Sequence, residues 1–114
     1  MLICRSCFAN YPDKQPVWRC KCGGLLDLDF TPAFSVKNLA GRKFNLWRYR
    51  EALPVRSDKN IVSFEEGFTP LLPLVFGTKK AWIKQDHLIP SGSYKESGTT
   101  VLISKLKELG IRHL

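Results

Sequence analysis

Two groups of residues in this 114-residue chain combine types and spacings that can do chemistry. The first is Cys4-x-x-Cys7, followed after a gap of twelve residues by Cys20-x-Cys22. Two short turns, each presenting a pair of thiolates, place four sulfurs around one tetrahedral zinc. The Gly23-Gly24 pair that follows supplies the backbone freedom such a turn needs. A closed four-thiolate site is structural: about thirty residues cannot build a core, and the metal supplies the folding energy. The second turn is one residue shorter than the commoner paired arrangement, so a degenerate ribbon without metal stands beside the zinc reading. Disulfide or redox use is the third alternative, and nothing in the sequence points to an oxidising compartment.

The second group is Ser93-Tyr94-Lys95-Glu96. Ser93 and Glu96 have the S-x-x-E spacing of a capping box, which predicts a helix starting at Ser93 with Lys95 in its first turn. A cation at a helix N-terminus opposes the macrodipole, at roughly 0.3–1 kcal/mol. Such a local violation marks a candidate for function, and an amine so placed suits nucleophilic or base work. The bland alternative is a solvated surface lysine. Ser93 belongs chiefly to the cap, with contact to a cofactor as its second possible role.

The elements that must position these groups fall into three segments. Residues 1–30 are cysteine- and glycine-rich and close on Leu26, Leu28 and Phe30, whose period of two predicts a strand. Residues 31–60 are a connector. Within it, Asn45 caps a short helix that runs to Leu53, where Pro54 stops it. Residues 61–114 hold a predicted strand at Ala81–Gln85, a loop from His87 to Gly92, and a helix from about Tyr94 to Leu109. Leu102, Ile103, Leu106 and Leu109 form its expected core-facing stripe, Gly110 is its stop, and 111–114 open a further strand. Strand, helix and strand start would make one βαβ crossover, cut off at its last piece. Trp18, Trp47 and Trp82 are expected as buried anchors, His87 as a surface residue, and Thr69-Pro70 as a turn.

Composition bounds the rest. Hydrophobic residues make up 44% and charged residues 25%, an ordinary globular balance. No apolar run approaches the roughly 20 residues of a membrane span, and no secretory leader is visible after Met1, so a cytoplasmic protein without membrane association is expected. The net charge is +8. Residues 1–60 carry 11 basic and 5 acidic side chains, against 7 and 5 in residues 61–114. A basic first half can attract nucleic acid through counterion release, but no interleaving of aromatic and basic residues tracks a strand, so nucleic acid is not the favoured partner.

Several stretches then combine in one order. Pro90-Ser91-Gly92-Ser93-Tyr94-Lys95 resembles the cofactor-lysine segment of fold-type II pyridoxal-phosphate enzymes. Trp47-Arg48-Tyr49-Arg50-Glu51-Ala52-Leu53-Pro54 and Glu66-Gly67-Phe68-Thr69-Pro70-Leu71 resemble segments of the threonine synthase family. Trp82–Asp86 is similar to the strand leading into the lysine loop, and Cys20–Leu25 to the family's cysteine-rich beginning. The resemblance implies an α/β protein: a small zinc-ribbon-like segment, then an incomplete three-layer fold-type II domain. It implies pyridoxal 5'-phosphate held by Lys95, and conversion of O-phosphohomoserine and water to threonine and phosphate. Departures are Glu96-Ser97-Gly98 where the family has aspartate-arginine-glycine, and Tyr94 where it has phenylalanine.

The expected partners are a small anionic amino-acid substrate and either a second copy or the remainder of a longer chain. The family's phosphate-holding glycine loop lies downstream, so these 114 residues alone are not expected to be a competent enzyme. Related β-replacing enzymes such as cysteate synthase share this beginning. A different class of reading is a zinc-ribbon binding module with a basic surface for nucleic acid or a protein, which leaves Lys95 unexplained.

Overall fold

A computed structural model describes residues 1–113. The first segment folds into a three-stranded antiparallel sheet in the order β2-β1-β3. Its strands are β1 (Leu2–Cys4), β2 (Asn10–Tyr11) and β3 (Leu26–Leu28). In register, Leu2 faces Tyr11 on one side and Leu28 on the other, and Cys4 faces Leu26. The predicted alternation at 26–30 therefore forms a strand, shorter than expected. Asn45 caps the connector helix as predicted, its side chain accepting from the Trp47 N–H at 3.0 Å. The element, Leu46–Ala52, is 3-10 rather than α and kinks at Tyr49.

The later segment departs most from expectation. Lys79–Lys84 (β5) is a strand, as predicted, but it pairs antiparallel with Leu71–Phe76 (β4) across the tight Gly77-Thr78 turn. A hairpin thus takes the place expected of a parallel crossover. Ile111–His113 is not in a strand; Leu114, the last residue of that predicted element, lies outside the described residues. The helix (α1) spans Glu96–Glu108.

The buried face of α1 also corrects the sequence reading. Leu102 is 55% exposed, whereas Glu96, Thr100 and Ser104 are buried. These three recur every four residues, so they line one stripe. That stripe packs on residues 56–66: Glu108 accepts from the Arg56 N–H at 2.7 Å, Ser104 from the Val62 N–H at 2.9 Å, and Thr100 donates to Glu66 at 2.5 Å. The core around it contains Trp47, Val55 and Ile89. Of the other expected anchors, Trp18 is 83% and Trp82 64% exposed, because neither the cysteine segment nor the hairpin has a layer packed over it. The Cα radius of gyration is 17.6 Å, against about 13 Å for a compact domain of this length. Much apolar surface therefore lies open, including Leu71, Val75, Phe76 and Trp82 on the hairpin.

Candidate functional site

The four cysteines converge as their spacing predicts. Cys4 ends β1, Cys7 follows one tight turn later, and Cys20 and Cys22 lie in the loop entering β3. All four sulfurs lie within 4.8 Å of one another. Cys4 and Cys22 are 3.6 Å apart and Cys7 and Cys20 3.5 Å, far beyond a disulfide bond. Sulfurs on a tetrahedron with metal–sulfur bonds of about 2.3 Å stand about 3.8 Å apart, so the pairs sit close to that edge length.

The backbone is shaped for this arrangement. The N–H groups of Ser6 and Cys7 donate to the Cys4 sulfur at 3.3 and 3.5 Å. After each turn the chain takes a left-handed conformation, at Phe8 (φ 59°) and Gly23 (φ 84°). At Gly24 a β-carbon would lie 2.7 Å from both the Cys4 sulfur and the Ser6 hydroxyl, so only glycine fits.

Tyr11 is a member of this cluster that sequence spacing could not show. Its hydroxyl accepts from the Lys21 N–H at 3.0 Å and lies 3.1 Å from the Cys20 sulfur, so its proton is directed at that sulfur. This hydrogen bond, with the backbone bond from Cys22, lowers the Cys20 thiol to about 6. Cys7 is shifted in the opposite sense to Cys20. A backbone bond from Ala9 favours the Cys7 thiolate, but hydrogen bonding with Cys22, Cys20 and Cys4 outweighs it and pushes Cys7 up to about 12. Four thiolates at this spacing repel one another, and a divalent cation is the group that removes that repulsion. The donor set and its geometry fit a structural zinc.

Lys95 stands apart from the cysteines, at the mouth of α1. The loop before it is fastened at several points. Thr69 donates to Asp86 at 2.8 Å, and the Gly92 N–H, in a left-handed turn (φ 71°), donates to the Ile89 carbonyl at 2.7 Å. The expected capping box does not form: the helix begins at Glu96, later than predicted, and Lys95 is its N-cap residue instead of lying in its first turn. Ser93 accepts from the Lys95 N–H at 3.4 Å, but the Glu96 carboxylate reaches past Ser93 to the Ser91 N–H at 2.6 Å. Glu96 is buried, and its other oxygen has no partner among the described residues. The Lys95 side chain is exposed, and its ammonium makes no hydrogen bond or ion pair among the described residues. No described residue closes over it. His87 and Tyr94 are exposed as well.

Four cations of the first half are ion-paired with acids of the same half, Arg5 with Asp27, Arg42 with Glu51, Arg50 with Asp58 and Arg56 with Asp13, which leaves the net basic surplus of that half in place. Among the described residues no helix is long and apolar enough to cross a membrane.

Comparison with known proteins adds a decisive observation. The chain is 35% identical over 118 residues to a threonine synthase of Methanocaldococcus jannaschii, a match covering 95% of the chain. This chain belongs to the threonine synthase family. A threonine synthase of Methanosarcina acetivorans is 34% identical over 96% of the chain, and one from Synechocystis sp. is 40% identical over 56% of it. The match covers 29% of the length of each of the first two threonine synthases and 18% of the third, so the chain spans under a third of these relatives. It is consistent with an N-terminal portion of a threonine synthase. No family model and no solved structure matches the chain.

Proposed function

We propose that this chain is the N-terminal part of a pyridoxal-phosphate-dependent threonine synthase, which forms threonine and phosphate from O-phosphohomoserine and water, and that Lys95 is its cofactor lysine. The observation that carries this is similarity to threonine synthases across 95% of the chain, with Lys95 unpaired at the helix mouth. The residues present fit the amine-bearing part of such a site. Among the described residues the ammonium has no competing carboxylate, and the buried, unpartnered Glu96 oxygen offers an acceptor to a neighbouring group.

When bound, the cofactor supplies an electron sink for charge developing on the substrate carbons. Lys95 would hold it through its amine, and that amine would carry protons to and from those carbons. Glu96 and Ser93 fix the loop from Ser91 to Lys95, so the amine starts from one place. In the first segment, Cys4, Cys7, Cys20 and Cys22 would hold zinc, which would contribute folding energy and no chemistry.

The test uses the full-length protein. Borohydride treatment in the presence of pyridoxal phosphate should fix the cofactor to the peptide containing Lys95, and Lys95→Ala should lose both this label and release of phosphate from O-phosphohomoserine. Label on a different lysine, or undiminished turnover in the variant, overturns the assignment. Turnover of another amino-acid phosphate ester or a sulfur nucleophile, with no threonine formed, would replace threonine synthase by a related enzyme.

A further inference from the structure

Arg48 is a cation that the fold positions without an ion-pair partner among the described residues. It belongs to the Leu46–Ala52 turn, and its backbone carbonyl is held by Arg42 at 2.8 Å. Its guanidinium carbon lies 4.6 Å from the Phe44 ring centre, 5.2 Å from Phe68 and 5.9 Å from Tyr49. Phe44 and Phe68 themselves pack at 4.7 Å. Aromatic faces on several sides fix the plane of the fork. Phe68 reaches this place through a left-handed backbone (φ 53°), next to Gly67 (φ 95°), where a β-carbon would lie 2.8 Å from the Leu46 nitrogen. The chain thus accepts local strain to bring Phe68 against Arg48.

The guanidinium itself is left unsatisfied. Its Nε is buried without a partner, and none of its nitrogens forms a hydrogen bond or ion pair among the described residues. Arg48 lines a cavity of about 350 Å³ whose other cations are already occupied: Arg42 by Glu51, Lys43 by Glu65 and Arg50 by Asp58. Cavities of about 300–1,000 Å³ are of small-molecule size. A planar fork with free donors binds an oxyanion through two parallel hydrogen bonds, which an ammonium cannot reproduce.

We propose that Arg48 is the receptor of a small-molecule oxyanion site in this cavity, taking a phosphate or carboxylate group. The site is built from residues 41–68 and stands whether or not Lys95 carries a cofactor.

Equilibrium dialysis of the full-length protein with inorganic phosphate, and separately with acetate, tests this. Wild type should bind one more equivalent per chain than Arg48→Gln. Arg48→Lys, which keeps the charge and loses the fork, should retain that equivalent at least tenfold more weakly. The anion that shows the difference identifies the group as phosphate or carboxylate. In parallel, that anion should protect Arg48 from phenylglyoxal, read by peptide mass. Cofactor labelling at Lys95 is scored on the same samples, so failure of the site and failure of the enzymatic reading are separate results. Equal stoichiometry in wild type and both variants for both anions overturns the proposal, as does an Arg48 whose reaction with phenylglyoxal neither anion changes.

Discussion

Replacing Glu66 with glutamine tests the centre of this fold. Glu66 is fully buried and has no ion-pair partner among the described residues. One carboxylate oxygen accepts from Trp47 Nε1 at 3.0 Å and Thr100 Oγ1 at 2.5 Å, the other from Ser63 Oγ and the Phe64 N–H, both at 2.8 Å. Burial alone would favour removing the charge. Desolvation is the largest single influence on Glu66 and raises its pKa, yet the hydrogen bonds from Thr100, Ser63 and the backbone together outweigh it and hold the carboxyl below its ordinary value. The ionised form is therefore favoured on folding, so a neutral isostere costs stability.

The geometry says how much. The glutamine amide must face one pair of donors, and each pair contains one hydroxyl, which can rotate, and one rigid N–H, which cannot. Either way the indole of Trp47 or the amide of Phe64 is left facing another donor. One buried unsatisfied donor costs about 1–3 kcal/mol, and with weaker bonds to the remaining donors the total is about 2–4 kcal/mol. Urea denaturation followed by tryptophan fluorescence measures it. Glu65→Gln is the control: its pair with Lys43 is exposed, so this variant should unfold close to wild type. A Glu66→Gln protein within about 0.5 kcal/mol of wild type, or more stable, would show that desolvation outweighs the four hydrogen bonds.

The same carboxylate gives a pH signature. Because its folded pKa is depressed, the stability it adds is present above the unfolded glutamate value of about 4.3 and is lost as pH falls towards and through the folded value; urea midpoints should show wild type losing its advantage over Glu66→Gln across that range. Elemental analysis should find one zinc per chain, and a strong chelator should unfold residues 1–30, seen as loss of amide-exchange protection in β1 and β3 only. Gly24→Ala should weaken zinc at least tenfold in a competition titration, since its methyl group would press on the Cys4 sulfur; affinity equal to wild type would mean the loop shifts freely. Thr100→Val keeps the volume and removes one donor to Glu66, and should cost about 1.5–3 kcal/mol in the same urea assay.

What the sequence revealed and what it hid divide along one physical line. The cysteine cluster and the Asn45 cap are local: a few residues carry all the geometry, and the structure brings them together as the spacing requires. The β4–β5 hairpin was hidden because Pro70 and Pro73 interrupt the apolar run, and proline is tolerated in a two-stranded ribbon, where every residue is on an edge. The buried face of α1 was hidden for a different reason. Periodicity alone places Leu102, Leu106 and Leu109 inward, but the acceptor that draws Thr100 inward, Glu66, is 34 residues away. The capping box was likewise lost because Glu96 found the Ser91 N–H in place of that of Ser93, and the Ser93 hydroxyl took the Lys95 N–H in place of that of Glu96.

The seam between α1 and residues 56–66 also explains irregularities that look unrelated. From Glu108 to Ser104 to Thr100 the helix recedes by about 6 Å per step. The arm it meets advances from Arg56 to Val62 to Glu66, which in extended chain would span about 20 Å and then about 13 Å. The two match only if the arm is shortened twice. The 3-10 turn at Asp58–Asn60 shortens the first interval, and the left-handed Glu65 (φ 61°), with the Ser63 turn fastened to Glu66, shortens the second. Lys107 clamps the first turn by donating to the Lys59 carbonyl at 3.0 Å. Hydrogen bonds, unlike apolar contact, fix the helix along its axis as well as around it. A polar seam of this kind sets the height of Glu96, and through the Glu96–Ser91 bond it sets the loop that carries Lys95. The exposure of Leu102 follows from the same choice, because a helix registered by its polar stripe leaves part of its apolar stripe for other surfaces.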